Sequence, residues 1–375
     1  MKKHLIAAAV AAAVVAPAAM AQSSVELYGI LSTGYSSITS EGVIGNANVS
    51  RKITTTGAEG GQSGSRLGVR GKEDLGGGLS AGFVLEMAAD MDAGLTNGAD
   101  STRLGYVDLT GAFGTIRGGR VDGVARQVQN NFTATGNSGF APGNVAGSYA
   151  YAFSATGSVT GADLDVLKDM AWGQGGNGSN GRVSSSIGYI SPRMNGFSAQ
   201  VQYGKVSSDL SVTNGEATTL DALNFGISYA AGPLSILLGQ DSNKTTTEAA
   251  TPVELKYTTN TLGASYDFGV AKAFLAYTDR DREVGPTKTT VKDTTVGVSI
   301  PVAQKIVLVG SYSDGSLKGE LVDNDSVDVS AYQLQANYLF SKRTKAYVMY
   351  GETEWKGIDG KFTIDGFILG VQHSF

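Results

Sequence analysis

The sequence predicts an all-β protein: a 16-stranded antiparallel transmembrane β-barrel with short periplasmic turns and long extracellular loops. Three observations lead there. Segments with an apolar residue at every second position recur along the chain, and counting them gives sixteen. Their connections alternate between tight turns and longer polar stretches, which puts short turns on one rim and long loops on the other. Beyond an apolar leader, no run approaches the roughly eighteen residues that a membrane helix needs.

In the leader "MKKHLIAAAVAAAVVAPAAMAQ", Lys2 and Lys3 precede an apolar stretch from Leu5 to Val15, and Ala19-Met20-Ala21 offers small residues for cleavage. This is the layout of a secretory signal peptide. The expected division is a signal peptide over residues 1–21 and a barrel domain over 22–375.

The first strand, "SSVELYGILSTGY", runs into a Gly/Ser/Thr-rich stretch from Ser36 to Gly61 that reads as a loop. "SGSRLGVRGK", the tight "EDLGGG" and "LSAGFVLEMAA" follow. A loop around Asp92 to Ser101 then leads to "TRLGYVDLT", "GAFG" and "TIRGGR". The pattern stops from about Val121 to Gly181 and resumes with "RVSSSIGYI", "SPRMNG" and "FSAQVQYGK". From there "AAGP", "DFG", "PVAQ" and "LFSKR" each join two segments, and polar stretches near 207–220, 242–254, 280–290, 314–326 and 353–361 read as loops.

The faces suit lipid outside and water inside. Phe197, Ala199, Val201 and Tyr203 alternate with Ser198, Gln200 and Gln202; in "SAYQLQANYLF", Tyr332, Leu334, Ala336 and Tyr338 alternate with Gln333, Gln335 and Asn337. Tyr203, Tyr229, Tyr266 and Tyr277 end apolar faces, as the aromatic girdles at a lipid–water boundary do. A barrel in lipid must close, because an unpaired edge leaves backbone groups without partners. The terminal "FILGVQHSF" is expected to pair with the first strand.

Composition removes other classes. The 375 residues include no Cys, so neither a disulfide scaffold nor thiol chemistry is available. Losing Lys2 and Lys3 with the leader takes the formal charge from -5 to -7, which argues against nucleic acid as a partner. Outside the leader the chain keeps one histidine, His373, and no spacing suggests a metal site, a cofactor or a catalytic triad. "EDLGGG" lacks the Lys-Ser/Thr of a phosphate loop and reads as a turn.

Alternation also nominates pore residues. With Leu67 and Val69 toward lipid, Arg66, Arg70 and Lys72 point inward as a basic ladder; with Phe83 and Leu85 toward lipid, so does Glu86.

"SRLGVRGKEDLGGGLSAGFVLE", "RLGYVDLTGAFGTIRGGR", "RVSSSIGYISPRMNGFSAQVQYG", "YLFSKRTKAYVMYG" and the terminal "GVQHSF" resemble the general diffusion porins of beta-proteobacteria, the Burkholderia and Neisseria type. The likeness runs from Val25 to Phe375. It implies a homotrimer in outer-membrane lipid and lipopolysaccharide, and a third loop folded into the lumen, which would be residues 121–181. It also implies that the barrel-assembly machinery reads Phe375. Within that loop, "ADLDVLKDM" reads as a short helix capped by Asp163, which would bring Asp163, Asp165 and Asp169 to the constriction.

The resemblance further implies a cluster of arginines at the pore waist, matched here by Arg66, Arg103 and Arg182. Strict alternation with Val107 and Leu109 sends Arg103 outward, so a bulge is required to bring it in. Arg117 and Arg120 are the substitutes, and only one of them faces the lumen without a distortion. The implied function is passive diffusion of small hydrophilic solutes and ions with a modest anion preference. A substrate-specific channel for carboxylates or sugars, and an adhesin or structural barrel with little conductance, are the alternatives.

Overall fold

In a computed structural model, the described residues are 24–44, 47–59, 62–90, 94–95, 102–136, 181–208, 217–248, 253–319, 326–357 and 360–375. The first strands are β1 (Ser24–Ile44), β2 (Ala47–Glu59), β3 (Arg66–Gly76), β4 (Leu79–Asp90), β5 (Gly94–Leu95), β6 (Thr102–Gly111) and β7 (Gly114–Asp122). A helix, α1 (Val124–Asn131), follows. The wall resumes with β8 (Arg182–Ile190), β9 (Phe197–Ser208), β10 (Ala217–Ala231), β11 (Leu234–Glu248), β12 (Val253–Asp267) and β13 (Lys272–Val284). It ends with β14 (Thr287–Ala303), β15 (Ile306–Gly319), β16 (Ser326–Leu339), β17 (Thr344–Gly357) and β18 (Gly360–Ser374).

These segments make a closed barrel of 16 antiparallel strands. The wall-strand count is lower than the segment count for two reasons. β2 and β3 lie end to end against β1, and β5 is a two-residue addition to the top of β4. Closure is direct: β1 pairs with β18 from Ile30↔Ser374 to Gly42↔Phe362. Beyond that ladder Phe375 exchanges backbone hydrogen bonds with Gly29. Gly29 is required there, because a Cβ on it would lie 2.5 Å from the Phe375 ring.

The alternation sorts as lipid and lumen demand. Leu334 and Tyr338 of β16 are 60% and 43% exposed on the outer face. Alternating with this outer face, Gln333, Gln335 and Asn337 are buried on the inner face in a chain of amide hydrogen bonds, Gln333 Nε2 to Gln335 Oε1 at 3.1 Å and Gln335 Nε2 to Asn337 Oδ1 at 2.8 Å. Amides suit this place because each both donates and accepts, so a row of them satisfies itself without charge.

The long polar stretches are corrected. Ser36 to Gly61 is not a loop: β1 continues to Ile44 and β2 starts at Ala47. Likewise β13 runs to Val284 and β14 begins at Thr287, so 280–290 is a tight hairpin, and most of 242–254, 314–326 and 353–361 is strand. The strands outlast the apolar band because Thr-rich sequence tolerates the pleat and the backbone keeps its ladder wherever a neighbour extends equally far. Cross-strand pairs such as Lys244–Glu254 at 2.6 Å and Lys292–Asp279 at 3.2 Å replace apolar contacts on the upper outer face.

Candidate functional site

The wall brings one basic cluster together by breaking its own register. Between β4 and β6, Glu86 pairs with Leu104 but Met87 pairs with Thr102, leaving Arg103 as the extra residue of a bulge. A bulge turns a side chain through the pleat, and Arg103 thereby faces inward and donates from Nε to Glu86 Oε1 at 2.6 Å. Arg66 on β3 approaches the same oxygen at 4.0 Å, and Tyr28 on β1 donates to Glu86 Oε2 at 3.0 Å. One buried carboxylate thus holds two arginines, which is how like charges remain adjacent in a partly dehydrated wall.

A second cluster comes from the inward-turned segment after β7. The helix α1 crosses the lumen face of β10 to β13. Val124, Val128 and Phe132, spaced by four, form its wall-facing stripe and pack with Leu237 and Ala276. Its N-cap, Gly123, has no side chain to offer. The cap comes from the wall instead: the Asp241 carboxylate accepts from the backbone N–H of Val124 at 2.8 Å and of Ala125 at 2.9 Å. This satisfies two of the otherwise orphaned donors and places negative charge at the positive end of the helix.

The barrel face beneath the segment is pared down to glycine. A Cβ on Gly239 would sit 2.6 Å from Val124, one on Gly263 2.5 Å from Phe132, and one on Gly297 2.7 Å from Ala134.

On this helix Arg126, four residues beyond Asp122, lies 3.4 Å from the Asp122 carboxylate, and Arg182 at the start of β8 lies 3.0 Å from the same oxygen. Both arginines are buried. Burial pushes the Arg126 guanidinium down to about 10, against the pull of Asp122, so it keeps its charge at neutral pH.

The other nominated residues separate. Arg117 faces the lumen, donates to Asp108 at 2.9 Å and lies over the Tyr106 ring at 4.0 Å. Arg120 is skipped by the register shift between Gly119 and Val121, and its Nη1 donates to Ser184 on β8. Arg70 pairs with Glu26 at 2.8 Å well away from the waist, and Lys72 lines the same cavity as Arg70 near the periplasmic rim. Asp163, Asp165 and Asp169 lie outside the described residues.

Sequence reading missed Arg126 and the whole of α1, having placed a helix only in "ADLDVLKDM". The signal was present in the apolar spacing of Val124, Val128 and Phe132 and in the Asp122–Arg126 pair one turn apart.

Arg66, Arg103, Arg126 and Arg182 therefore surround Glu86 and Asp122, which leaves a net surplus of two positive charges among these six described groups. Set in a low-dielectric wall around a water-filled lumen, such a surplus lowers the barrier for anions and raises it for cations.

A family model described as Gram-negative porin matches residues 7–357. Outer membrane porin protein 32 of Delftia acidovorans is 35% identical over 352 residues, covering 92% of this chain and 88% of that protein. Major outer membrane protein P.IB of Neisseria lactamica is 29% identical over 382 residues and aligns across 100% of both chains. Among solved structures, an anion-selective porin from Comamonas acidovorans superposes with a TM-score of 0.69 at 24% identity, covering 94% of this chain and 100% of that one; this last likeness is one of fold.

Proposed function

The chain belongs to the Gram-negative porin family, and from that premise we propose that it is an outer-membrane diffusion channel with a modest anion preference, set by four arginines held around two carboxylates. Channel function and outer-membrane location come with the family. The preference rests on one observation: Arg66 and Arg103 on Glu86, and Arg126 and Arg182 on Asp122, outnumber their counter-charges two to one.

Small hydrophilic solutes cross by passive diffusion through the space that α1 and the inward arginines leave open. An anion meets the partly exposed Arg66 and Arg103, already held by Glu86, and feels the field of the buried Arg126 and Arg182, so little reorganisation is needed on passage. A cation meets the same surplus as a barrier. Assembly as a homotrimer in lipid and lipopolysaccharide, removal of residues 1–21 on export, and reading of Phe375 by the barrel-assembly machinery are part of the same proposal.

The test is the zero-current potential of the purified protein in a planar bilayer under a KCl gradient. The sign for chloride permeation supports the reading. A potassium-selective potential overturns the preference and leaves the channel, whereas folded protein without conductance overturns both.

A further inference from the structure

Two adjoining cavities of about 320 Å³ each run along α1. The first reaches from Tyr106 and Arg117 to Asn224, and the second continues past Asn131 to Ser198 and Ser228; Gln127, Ile190 and Gln200 line both. We propose that this trough is a binding site for a neutral, hydroxyl-rich solute of monosaccharide size, beside the arginine lane and distinct from it. The inference rests on the channel reading above, since the solute reaches the trough only through an open lumen.

Charge is the first argument. The charged groups sit at the two ends of the trough: Arg117, matched by Asp108 at 2.9 Å, and Asp122, held by Arg126 and Arg182, at one end, and Arg193, which donates to the Gly196 and Ala230 carbonyls at 3.4 Å, at the other. The polar lining between those ends, Gln127, Asn131, Gln200, Ser198 and Ser228, is amide and hydroxyl. That middle stretch carries no ionised group, which suits a neutral molecule.

Hydrogen-bonding capacity is the second. A carboxamide has two donor hydrogens and an oxygen with two lone pairs. Gln127 uses one donor on the Asp122 carbonyl at 3.1 Å, and its Oε1 accepts from Gln200 Nε2 at 3.3 Å. Asn131 uses one donor on the Gln127 carbonyl at 2.8 Å. The bonds between described residues therefore leave donors and acceptors side by side along the trough. A sugar or polyol presents the complementary set, because each of its hydroxyls donates and accepts on adjacent carbons.

Shape is the third. Ile190, half-buried where the two cavities adjoin, gives apolar surface for the C–H face of a sugar ring, and each cavity falls within the ~300–1,000 Å³ of small-molecule sites. A solute resting there narrows the passage beside α1, so its binding is readable as lost ion current.

The experiment measures single-channel KCl conductance against increasing D-glucose, with an oligo(ethylene glycol) of similar hydrodynamic size as the control. Each channel is normalised to its own solute-free conductance. Wild type is expected to show a saturable loss with glucose that exceeds the loss with the glycol. In Gln200→Leu and Gln127→Leu the apparent glucose affinity is expected to fall roughly five-fold, as loss of one neutral hydrogen bond implies.

Equal, non-saturating losses with the two solutes in wild type overturn the site without any variant. Unchanged glucose affinity in folded, heat-modifiable variants overturns the assignment to these amides. Failure of the channel reading is separate: it appears as absent current before any solute is added.

Discussion

Asp241 on the barrel wall and Val124 at the head of α1 are joined by a 2.8 Å hydrogen bond across 117 residues of sequence, and the same carboxylate accepts a second bond from the Ala125 N–H. The wall thus completes a helix that its own N-cap, Gly123, leaves uncapped. A side chain at Gly123 could not share the task, because its Cβ would stand 2.7 Å from that carboxylate.

Replacing Asp241 by Ala should unsettle the inward segment. Two buried N–H groups lose their acceptor, at roughly 1–3 kcal/mol each if no water replaces it. We expect noisier open-channel current and a barrel that denatures more readily, with Asp241→Asn intermediate because one amide oxygen still accepts. An alanine channel as quiet as the wild type would mean that the apolar stripe alone holds the helix.

The glycine face under the helix gives a paired test. Gly263→Ala puts a methyl group 2.5 Å from Phe132 Cγ, whereas Gly310→Ala meets only Leu334 at 3.6 Å, an ordinary contact. Overpacking of the first kind costs about 1–3 kcal/mol. The expected result is altered conductance and lower stability for Gly263→Ala, and neither for Gly310→Ala. If both behave like wild type, the helix slides freely on the wall.

The barrel was readable because a strand in lipid obeys a period of two without much interference, as Leu334 and Gln335 illustrate. Strand ends were not, because Thr245 and Thr289 carry no apolar signal although the ladder continues through them. Arg66 and Glu86 followed from parity. Arg103 did not, since one inserted residue reverses parity and no local motif marks the bulge. The anchor of α1 was hidden for another reason: Asp241 and Val124 belong to distant segments, and only closure of the barrel brings them together.

Arg126 supplies a charge test. It is one of the four positive charges among the six groups and is paired with Asp122 at 3.4 Å. Arg126→Met removes that charge and should shift the zero-current potential toward potassium at pH 7. A potential equal to that of the wild type would remove Arg126 from the permeation pathway.

Glu86 and Arg66 should move selectivity in opposite directions although they touch. Arg66→Glu changes the six-group surplus from two positive charges to none, and the zero-current potential should shift toward potassium. Glu86→Gln raises the surplus to three and should increase chloride preference, but Arg66 and Arg103 then repel each other without a shared counter-charge. Because that repulsion acts on stability and the surplus acts on permeation, the Gln variant should be more chloride-selective and less stable at once. Adding salt should recover its stability and reduce its selectivity, since screening weakens both effects. Zero-current potentials and denaturation midpoints at two KCl concentrations separate the terms. A Gln variant whose potential matches wild type would remove Glu86 from the permeation pathway and leave it as a strut for the arginines.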